Sequence, residues 1–253
     1  MKDNNDATFQ GGCLCGAYKF QVKNLEAGWQ PRRCNCAICR KKGALWVPPP
    51  SQDDFIILKD DGNLKSYTFD AKVWSHEFCE TCGVNVKVSA RGSGWPMAVN
   101  LRALDEAEKL YSREWNKIGG KAFGVVYEPK SYTGELPPGQ EDDTEIVNGS
   151  CHCGEVTYAA KVKSVEDVKP QSNGSALLSH GILVLPLKND IQFRMNETNV
   201  REYTTKDGLT KVMFCRTCGV PAQAQSPSEN NSVLLNLRTL DVEGLDEKWC
   251  MNI

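Results

Sequence analysis

The sequence predicts a mainly β protein built from two tandem domains with few short helices. Three observations support this prediction. Cysteines fall in close pairs, blocks of sequence occur twice in the same order, and short runs of alternating apolar and polar residues are separated by turn residues. Alternation with a period of two is typical of half-buried strands. Many short strands with few helical patterns favour a β architecture.

Within the first half, apolar runs and turn residues define the elements in order. We expect one helical turn over Ile38–Lys42 that Gly43 ends, because glycine readily adopts the left-handed conformation at a helix C-terminus. Asp105 can cap a second short helix, with Glu108 three residues later. The expected strands are residues 18–22, 44–47, 55–58, 64–69, 84–88 and 97–101.

Three blocks of the first half recur in the second half, which indicates an internal duplication. They are residues 12–16 and 150–154, 78–84 and 214–220, and 100–105 and 236–241. Between the halves, Pro137-Pro138-Gly139 precedes the acidic run Glu141-Asp142-Asp143, a composition typical of a solvated connector. We therefore predict a first domain over residues 1–136, a linker over 137–145 and a second domain over 146–253.

Each domain carries one Cys-x-Cys pair and one Cys-x-x-Cys pair far apart in the chain. Four thiolates are the number that a closed tetrahedral zinc site requires, and zinc binding contributes to the folding of small domains. Reduced thiols or disulfides are the alternative. The predicted structural zinc ligands are Cys13, Cys15, Cys79 and Cys82, and then Cys151, Cys153, Cys215 and Cys218.

A different cysteine set, Cys34, Cys36 and Cys39, lies in the first domain. Three thiolates leave one tetrahedral position open, as in catalytic zinc sites, and a substrate thiolate or a water could fill it. Two alternatives remain: a third structural site completed by a residue such as His76, or metal-free thiols. In the second domain the matching positions are Ser172, Gly174 and Leu177, so we expect that copy to lack this site.

Basic residues flank the three cysteines. Neighbouring cations favour the thiolate form, and guanidinium groups bind carboxylates such as those of glutathione. His76 is a further candidate, as a general base, because it lies close to Cys79. The candidate substrate-binding residues are Arg32, Arg33, Arg40 and Lys41.

Composition narrows the classes of partner and compartment. The formal net charge of −2 argues against general affinity for nucleic acid, which needs a basic excess. No run approaches the roughly 20 apolar residues of a membrane span, and residues 1–10 lack a secretory signal. We expect a cytoplasmic, reducing location, where 12 cysteines favour metal binding over disulfides. The sequence leaves the oligomeric state open.

Three motifs carry a resemblance to a known family. They are Gly-x-Cys-x-Cys-Gly at residues 11–16, Cys-x-Cys-x-x-Cys-Arg at 34–40 and Phe-Cys-x-x-Cys-Gly at 78–83, and parts of the first and third recur at 150–154 and 214–219. With them the sequence resembles the glutathione-dependent formaldehyde-activating enzyme family, which includes the centromere protein V domain. The resemblance implies two tandem zinc-clasped β domains of that type, with two structural zinc ions.

The resemblance also implies an activity. It implies a labile, functional zinc on Cys34, Cys36 and Cys39 near a glutathione site, and carbon–sulfur lyase chemistry on S-(hydroxymethyl)glutathione or a related thiol adduct. Loss of the second cysteine triplet predicts an inactive second copy. The rival expectation is a non-catalytic zinc-binding interaction module. A metal or redox buffer that exchanges ions at the triplet is a third.

Overall fold

The chain forms two compact units in the computed structural model. The units comprise residues 1–39 with 44–125, and residues 40–43 with 126–253. By these contacts, residues 126–136 belong with the second unit, ahead of the predicted linker. The structure describes residues 8–25, 30–69, 73–90, 97–111, 115–119, 127–138, 143–164, 175–182, 184–187, 190–225 and 233–242.

The first repeat is mainly β, as predicted. Its strands are β1 (Phe9–Gly12), β2 (Tyr18–Val22), β3 (Arg32–Cys34), β4 (Trp46–Val47), β5 (Phe55–Asp60), β6 (Leu64–Thr68), β7 (Trp74–Cys79), β8 (Asn85–Ala90), β9 (Met97–Asn100) and β10 (Asn116–Ile118). Its helices are α1 (Ala37–Lys41) and α2 (Glu108–Tyr111), with 3-10 turns at Gln52–Asp54 and Leu101–Ala103.

The strands of this repeat form two sheets. One has the order β1-β2-β5 and the other β10-β3-β4-β9-β8-β7-β6. The pairs are antiparallel except for β3 with β10, which run parallel. The expected strand at 44–47 shortens to Trp46–Val47 because the Ala44 amide bonds the Cys39 carbonyl at the end of α1. Strands β1, β3, β7 and β10 were not predicted.

The second repeat has a similar order of strands over its described residues, but its first 3-10 turn follows β14, whereas that of the first repeat precedes β5. Its strands are β11 (Glu145–Ser150), β12 (Val156–Val162), β13 (Val184–Leu187), β14 (Ile191–Met195), β15 (Val200–Thr204), β16 (Lys211–Cys215), β17 (Pro221–Gln225) and β18 (Val233–Asn236), with helix α3 (Ser175–His180) and 3-10 turns at Glu197–Asn199 and Leu237–Thr239. The sheets have the orders β11-β12-β14 and β13-β18-β17-β16-β15. These orders repeat those of the first unit, without counterparts of β3 and β10 among the described residues.

Aromatic and aliphatic side chains from the alternating strands form the cores. In the first unit Tyr18, Phe20 and Phe78 are almost fully buried. In the second unit Tyr158 and Phe214 are buried in the core to the same extent. Burial of such side chains supplies the main favourable free energy of folding. No helix in the described part of the chain is long and apolar enough to cross a membrane.

A buried asparagine ties strand ends together in each repeat. Asn100 is 1% exposed; its side-chain oxygen accepts from the amides of Leu45 and Arg102, and its amide donates to the Asn85 carbonyl at 2.8 Å. Asn236 bonds the Arg238 amide and the Pro221 carbonyl in the same way. Such contacts fix a connection whose backbone groups have no ladder partner.

We predict that Asn100→Ala lowers the free energy of unfolding by about 3 kcal/mol, because each buried polar group left without a partner costs about 1–3 kcal/mol. Urea unfolding of the metal-loaded protein measures this change. Gln52→Ala, at an exposed position, is the control and should change the free energy by less than about 0.5 kcal/mol. Equal midpoints for the two variants would contradict the role given to Asn100.

Candidate metal centres

Each four-cysteine set is built by two sharp turns that recur in both repeats. In the first repeat Gly16 and Gly83 adopt positive φ angles of 79° and 78°, a conformation that glycine adopts without steric cost. Their amides donate to the carbonyls of Cys13 and Cys79. Gly154 and Gly219 in the second repeat have φ angles of 79° and 70°. These tight turns therefore bring the two thiols of each pair to the same side of the backbone.

A register shift precedes the second turn of each repeat. It lies between Glu77 and Phe78 in the β7–β8 pair and between Met213 and Phe214 in the β16–β17 pair. Such a bulge bends its strand and re-aims the following side chain. In both repeats the residue after the shift is a buried phenylalanine, and the first cysteine of the Cys-x-x-Cys pair comes directly after it.

The thiols of each set converge to distances that suit one ion. All four Sγ atoms of each set lie within 4.8 Å of one another. The Sγ–Sγ distance is 3.4 Å for Cys13–Cys15 and 3.6 Å for Cys15–Cys79. Both measured pairs of the second set, Cys151–Cys153 and Cys153–Cys215, are 3.5 Å apart. A tetrahedral zinc with 2.3 Å bonds to sulfur needs sulfur atoms about 3.8 Å apart, so the residues fit zinc.

Backbone donors also reach these sulfur atoms. The Tyr18 amide donates to Cys13 Sγ at 3.3 Å, and the Val156 amide donates to Cys151 Sγ at 3.3 Å. A hydrogen bond to the charged form favours the thiolate, which is the form that binds metal. The two four-cysteine sets are thus alike in their glycine turns, their sulfur–sulfur distances and the backbone amide that donates to one sulfur.

The three-cysteine set forms a third cluster, and it differs in number and exposure. Cys34 ends β3, Cys36 precedes α1, and Cys39 lies within α1. Their Sγ atoms lie within 4.8 Å of one another. Cys34 and Cys36 are partly exposed and Cys39 is buried. Three convergent thiols with a partly exposed face suit an ion that keeps one position for an outside ligand.

The three thiols share their protons unequally. Hydrogen bonds from the thiols of Cys36 and Cys39 lower the pKa of Cys34 well below its usual range. The hydrogen bond with Cys34 raises the pKa of Cys36 and of Cys39, and burial adds to the increase. These hydrogen bonds therefore favour the thiolate form at Cys34.

Trp46 contacts the triplet directly, which the sequence did not indicate. Its indole N–H donates to Cys39 Sγ at 3.2 Å, and the ring is 4% exposed. Strand β4 brings it there by pairing with β3, where Trp46 lies opposite Arg32. The only available signal was a tryptophan in the first strand after the cysteine-bearing helix.

His76 is not a member of any cluster of potential ligands among the described residues. It is 3% exposed, and its ring lies 5.7 Å from Trp46 and 6.0 Å from Phe69 between centroids. A third structural site completed by His76 therefore has no support in the geometry. The residue is part of the aromatic packing behind Trp46.

Two of the four candidate substrate-binding residues lie on β3. Arg32 is exposed and Arg33 is partly exposed, with its guanidinium carbon 5.7 Å from the centre of the Trp115 ring. Parallel pairing with β10 places Lys117 next to Arg33. The strand that ends at Cys34 is therefore the basic side of the cluster.

The other two candidates make contacts within the second unit. Arg40 donates to the Leu240 carbonyl at 2.9 Å. The Lys41 side chain is fully buried and pairs with Asp241 at 2.5 Å. Burial lowers the pKa of Lys41, and the Asp241 carboxylate opposes that shift. These contacts do not favour a direct role for either residue in binding a substrate.

The helix of the second repeat has a core residue in place of the last triplet cysteine. Gly43 and Gly181 have φ angles of 56° and 66°, and the Ile182 amide bonds the Leu177 carbonyl as Ala44 bonds Cys39. Leu177 packs in an apolar cluster. The matched positions Ser172 and Gly174 lie outside the described residues.

Comparison with known proteins identified a protein family and a similar solved structure. The model of the family described as "Glutathione-dependent formaldehyde-activating enzyme" matches residues 8–116 and 146–250. A crystal structure of a Rhodobacter sphaeroides protein is similar at 29% sequence identity and a TM-score of 0.37, covering 42% of this chain and 99% of that chain.

We predict that protein purified without oxygen carries about three zinc ions per chain and keeps two after mild chelation. Closed four-thiolate sites have no open position for a chelator, whereas a three-thiolate site has one. Metal analysis before and after chelation measures both counts. A count of two ions per chain both before and after chelation would mean that the triplet holds no metal.

We also predict that Trp46→Phe weakens metal binding at the triplet by about 10–100-fold, since loss of a group that orients a ligand has typically that effect. Competition with a chelating dye measures the affinity. Trp74→Phe is the matched control, because Trp74 makes no described contact with a cysteine, and it should leave the affinity unchanged. Equal affinity in both variants would show that the N–H···S bond has no such role.

Proposed function

The chain belongs to the glutathione-dependent formaldehyde-activating enzyme family, with one copy of the family domain in each half, and on this premise we propose that it is a zinc-dependent carbon–sulfur lyase. Its substrate would be a glutathione adduct or the adduct of a related thiol. The active site would be the three-cysteine cluster of the first domain. The second copy would be inactive.

The contrast between the clusters is the observation that carries this proposal. Two clusters offer four thiols each, which completes a zinc coordination shell, whereas Cys34, Cys36 and Cys39 offer three. Two thiols of this set are partly exposed. The described part of the second repeat has no three-thiol cluster, and Leu177 fills the position of Cys39. An open position in the first domain can admit a substrate sulfur atom.

In this proposal some residues of the first domain hold the metal ion and others bind the substrate. Cys34, Cys36 and Cys39 would hold the ion, and the Trp46 N–H would keep the Cys39 sulfur in place and favour its thiolate form. Arg32 and Arg33 would bind a substrate carboxylate, because a guanidinium offers two parallel donors to it. Bound zinc would keep a substrate thiol deprotonated at neutral pH and act as a Lewis acid.

The proposed reaction makes or breaks one carbon–sulfur bond. In the forming direction the substrate sulfur attacks a carbonyl carbon, the C–S bond forms, and the thiol proton ends on the former carbonyl oxygen. The reverse reaction returns the proton to sulfur and releases the carbonyl compound. No oxidant is needed, which is consistent with a reducing cytoplasm, where clustered thiols persist.

The two four-cysteine clusters would hold structural zinc. Their ligands come from turns far apart in the chain, so that ion binding closes a long loop and contributes to folding. This arrangement alone would also suit a non-catalytic zinc module that binds another macromolecule. That alternative predicts no turnover and no dependence of any activity on the triplet, and a metal buffer would exchange ions there without turnover.

We predict that Cys36→Ser lowers kcat/KM for a glutathione adduct such as S-(hydroxymethyl)glutathione by roughly 100-fold or more, because losing a ligand exceeds the 10–100-fold effect of losing its support. Exchange between free and adduct glutathione, followed by NMR, measures the rate. Two retained zinc ions per chain would show that the variant keeps its closed sites. Equal rates for wild type and Cys36→Ser would refute the lyase assignment.

Arg201→Ala, on β15 of the second repeat, is a charge-matched control for Arg32→Ala. Arg201→Ala should leave KM for the glutathione adduct unchanged. Arg32→Ala should raise that KM if Arg32 binds the substrate carboxylate.

A further inference from the structure

The helix that carries Cys39 ends in a polar socket formed by the second repeat. Residues Arg40–Gly43 belong by their contacts to the second unit. They include the last two residues of α1, whose preceding residue is Cys39. We define the socket by Ser150 at the end of β11, Thr239 in the last 3-10 turn, and Asp241 just after it.

Every socket residue contacts the Lys41 ammonium. Lys41 Nζ donates to the Ser150 carbonyl at 2.9 Å, to the Thr239 carbonyl at 3.2 Å and to Asp241 Oδ1 at 2.5 Å. Ser150 Oγ lies 3.3 Å from Nζ. An ammonium has three protons to donate, so these acceptors satisfy it completely.

The socket also fixes its own carboxylate and surrounds the cation. The Ser150 hydroxyl donates to Asp241 Oδ2 at 2.7 Å, and Asp241 is 8% exposed while Lys41 is 0% exposed. Lys41 Nζ lies 5.5 Å from the centre of the Tyr127 ring. Removing an ammonium from water costs several kcal/mol unless a counter-charge and hydrogen bonds offset it. Geometry of this kind holds Lys41 in one place.

The Arg40 side chain and the backbone of Lys41 and Gly43 also make contacts that hold the helix end. Arg40 donates to the Leu240 carbonyl at 2.9 Å, and Asn236 Nδ2 donates to the Lys41 carbonyl at 3.4 Å. Gly43 lies so close to Gly181 that a Cβ on Gly43 would be 2.4 Å from the Gly181 carbonyl oxygen. Side chain and backbone are therefore both fixed within two to four residues of Cys39.

The equivalent positions of the first repeat lack this socket. Gly12 stands where the second repeat has Ser150, and Ala103 stands where it has Thr239. Asp105, the counterpart of Asp241, is exposed. The backbone amides of the two aspartates donate to equivalent carbonyls, that of Gln10 in β1 and that of Asn148 in β11. The hydroxyl groups and the buried carboxylate thus belong to the second repeat.

We propose that Asp241, supported by Ser150 and Thr239, is a positioning residue for the three-cysteine metal site. It acts through Lys41, which it fixes two residues after Cys39 in the same helix. The second repeat, without a triplet of its own, thereby orients a ligand of the first repeat's triplet. This inference rests on the proposed metal site but not on the proposed reaction.

The test compares full-length, metal-loaded Asp241→Asn with Asp105→Asn, which makes the same change at the matched exposed position. Cadmium NMR distinguishes four-thiolate from three-thiolate sites, and dye competition gives the affinity of the labile site. We expect Asp241→Asn to weaken the three-thiolate site by roughly 10-fold or more while both four-thiolate signals persist. We expect Asp105→Asn to match wild type.

Ser150→Ala is the second variant if Asp241→Asn does not fold, and it should weaken the same site in the same selective way. Unchanged affinity in a folded variant would overturn the proposal. Loss of the Cys151–Cys218 four-thiolate signal before or together with the three-thiolate signal would also overturn it, because Asp241 would then be structural for its own unit. A wild-type protein with no metal at the triplet would overturn it too.

The turnover assay separates this inference from the proposed function. Selective metal loss in Asp241→Asn without any wild-type turnover of glutathione adducts would support the positioning role and refute the lyase. Turnover by the wild-type protein, together with unchanged metal affinity in Asp241→Asn, would support the lyase and refute the positioning role.

Discussion

The convergence of cysteine sulfur atoms is the constraint on which each repeat depends. Two turns that are distant in sequence must bring four Sγ atoms within 4.8 Å, and a hydrophobic core alone does not require such a meeting. Left-handed glycines such as Gly16 and Gly83 make the turns tight enough. A bulge before Cys79 and before Cys215 aims the second pair. Because the same glycine turns and bulges occur in both repeats, we infer that the four-thiol cluster is a feature of the domain fold.

The triplet of the first repeat lies on one strand of a parallel pair and on the short helix that follows it. Strand β3 delivers Cys34, while α1 delivers Cys39. Trp46 on the neighbouring strand donates to the Cys39 sulfur, so that a group of the sheet orients a group of the helix. One cluster is closed by its own four thiols, and the other is left one ligand short. Four thiols suffice for a closed tetrahedral zinc site, whereas three leave one position open.

The second repeat differs from the first at the position of Cys39 and around the end of α1. Leu177 is in the core where a cysteine would stand. Ser150, Thr239 and Asp241 surround a buried lysine that follows Cys39 closely. A buried ion pair contributes little net stability compared with apolar packing, but breaking it is costly. Its contribution here is to orientation, because four acceptor atoms around one ammonium hold the end of the helix in a single position.

The sequence alone determined the duplication, the mainly β class and the three cysteine clusters, because spacing in a repeat and the ligand number of zinc are local properties. It also identified Gly43 as the end of a helix, since one residue with a positive φ angle is enough. Tertiary structure alone decided the partners of Lys41, Trp46 and His76. All three are chemically plausible near a metal site, and their neighbours are set by how helices, turns and strands pack together, which the sequence does not specify. The Lys41 side chain is buried against Asp241, some 200 residues away, because an ammonium removed from water needs a counter-charge and hydrogen-bond acceptors.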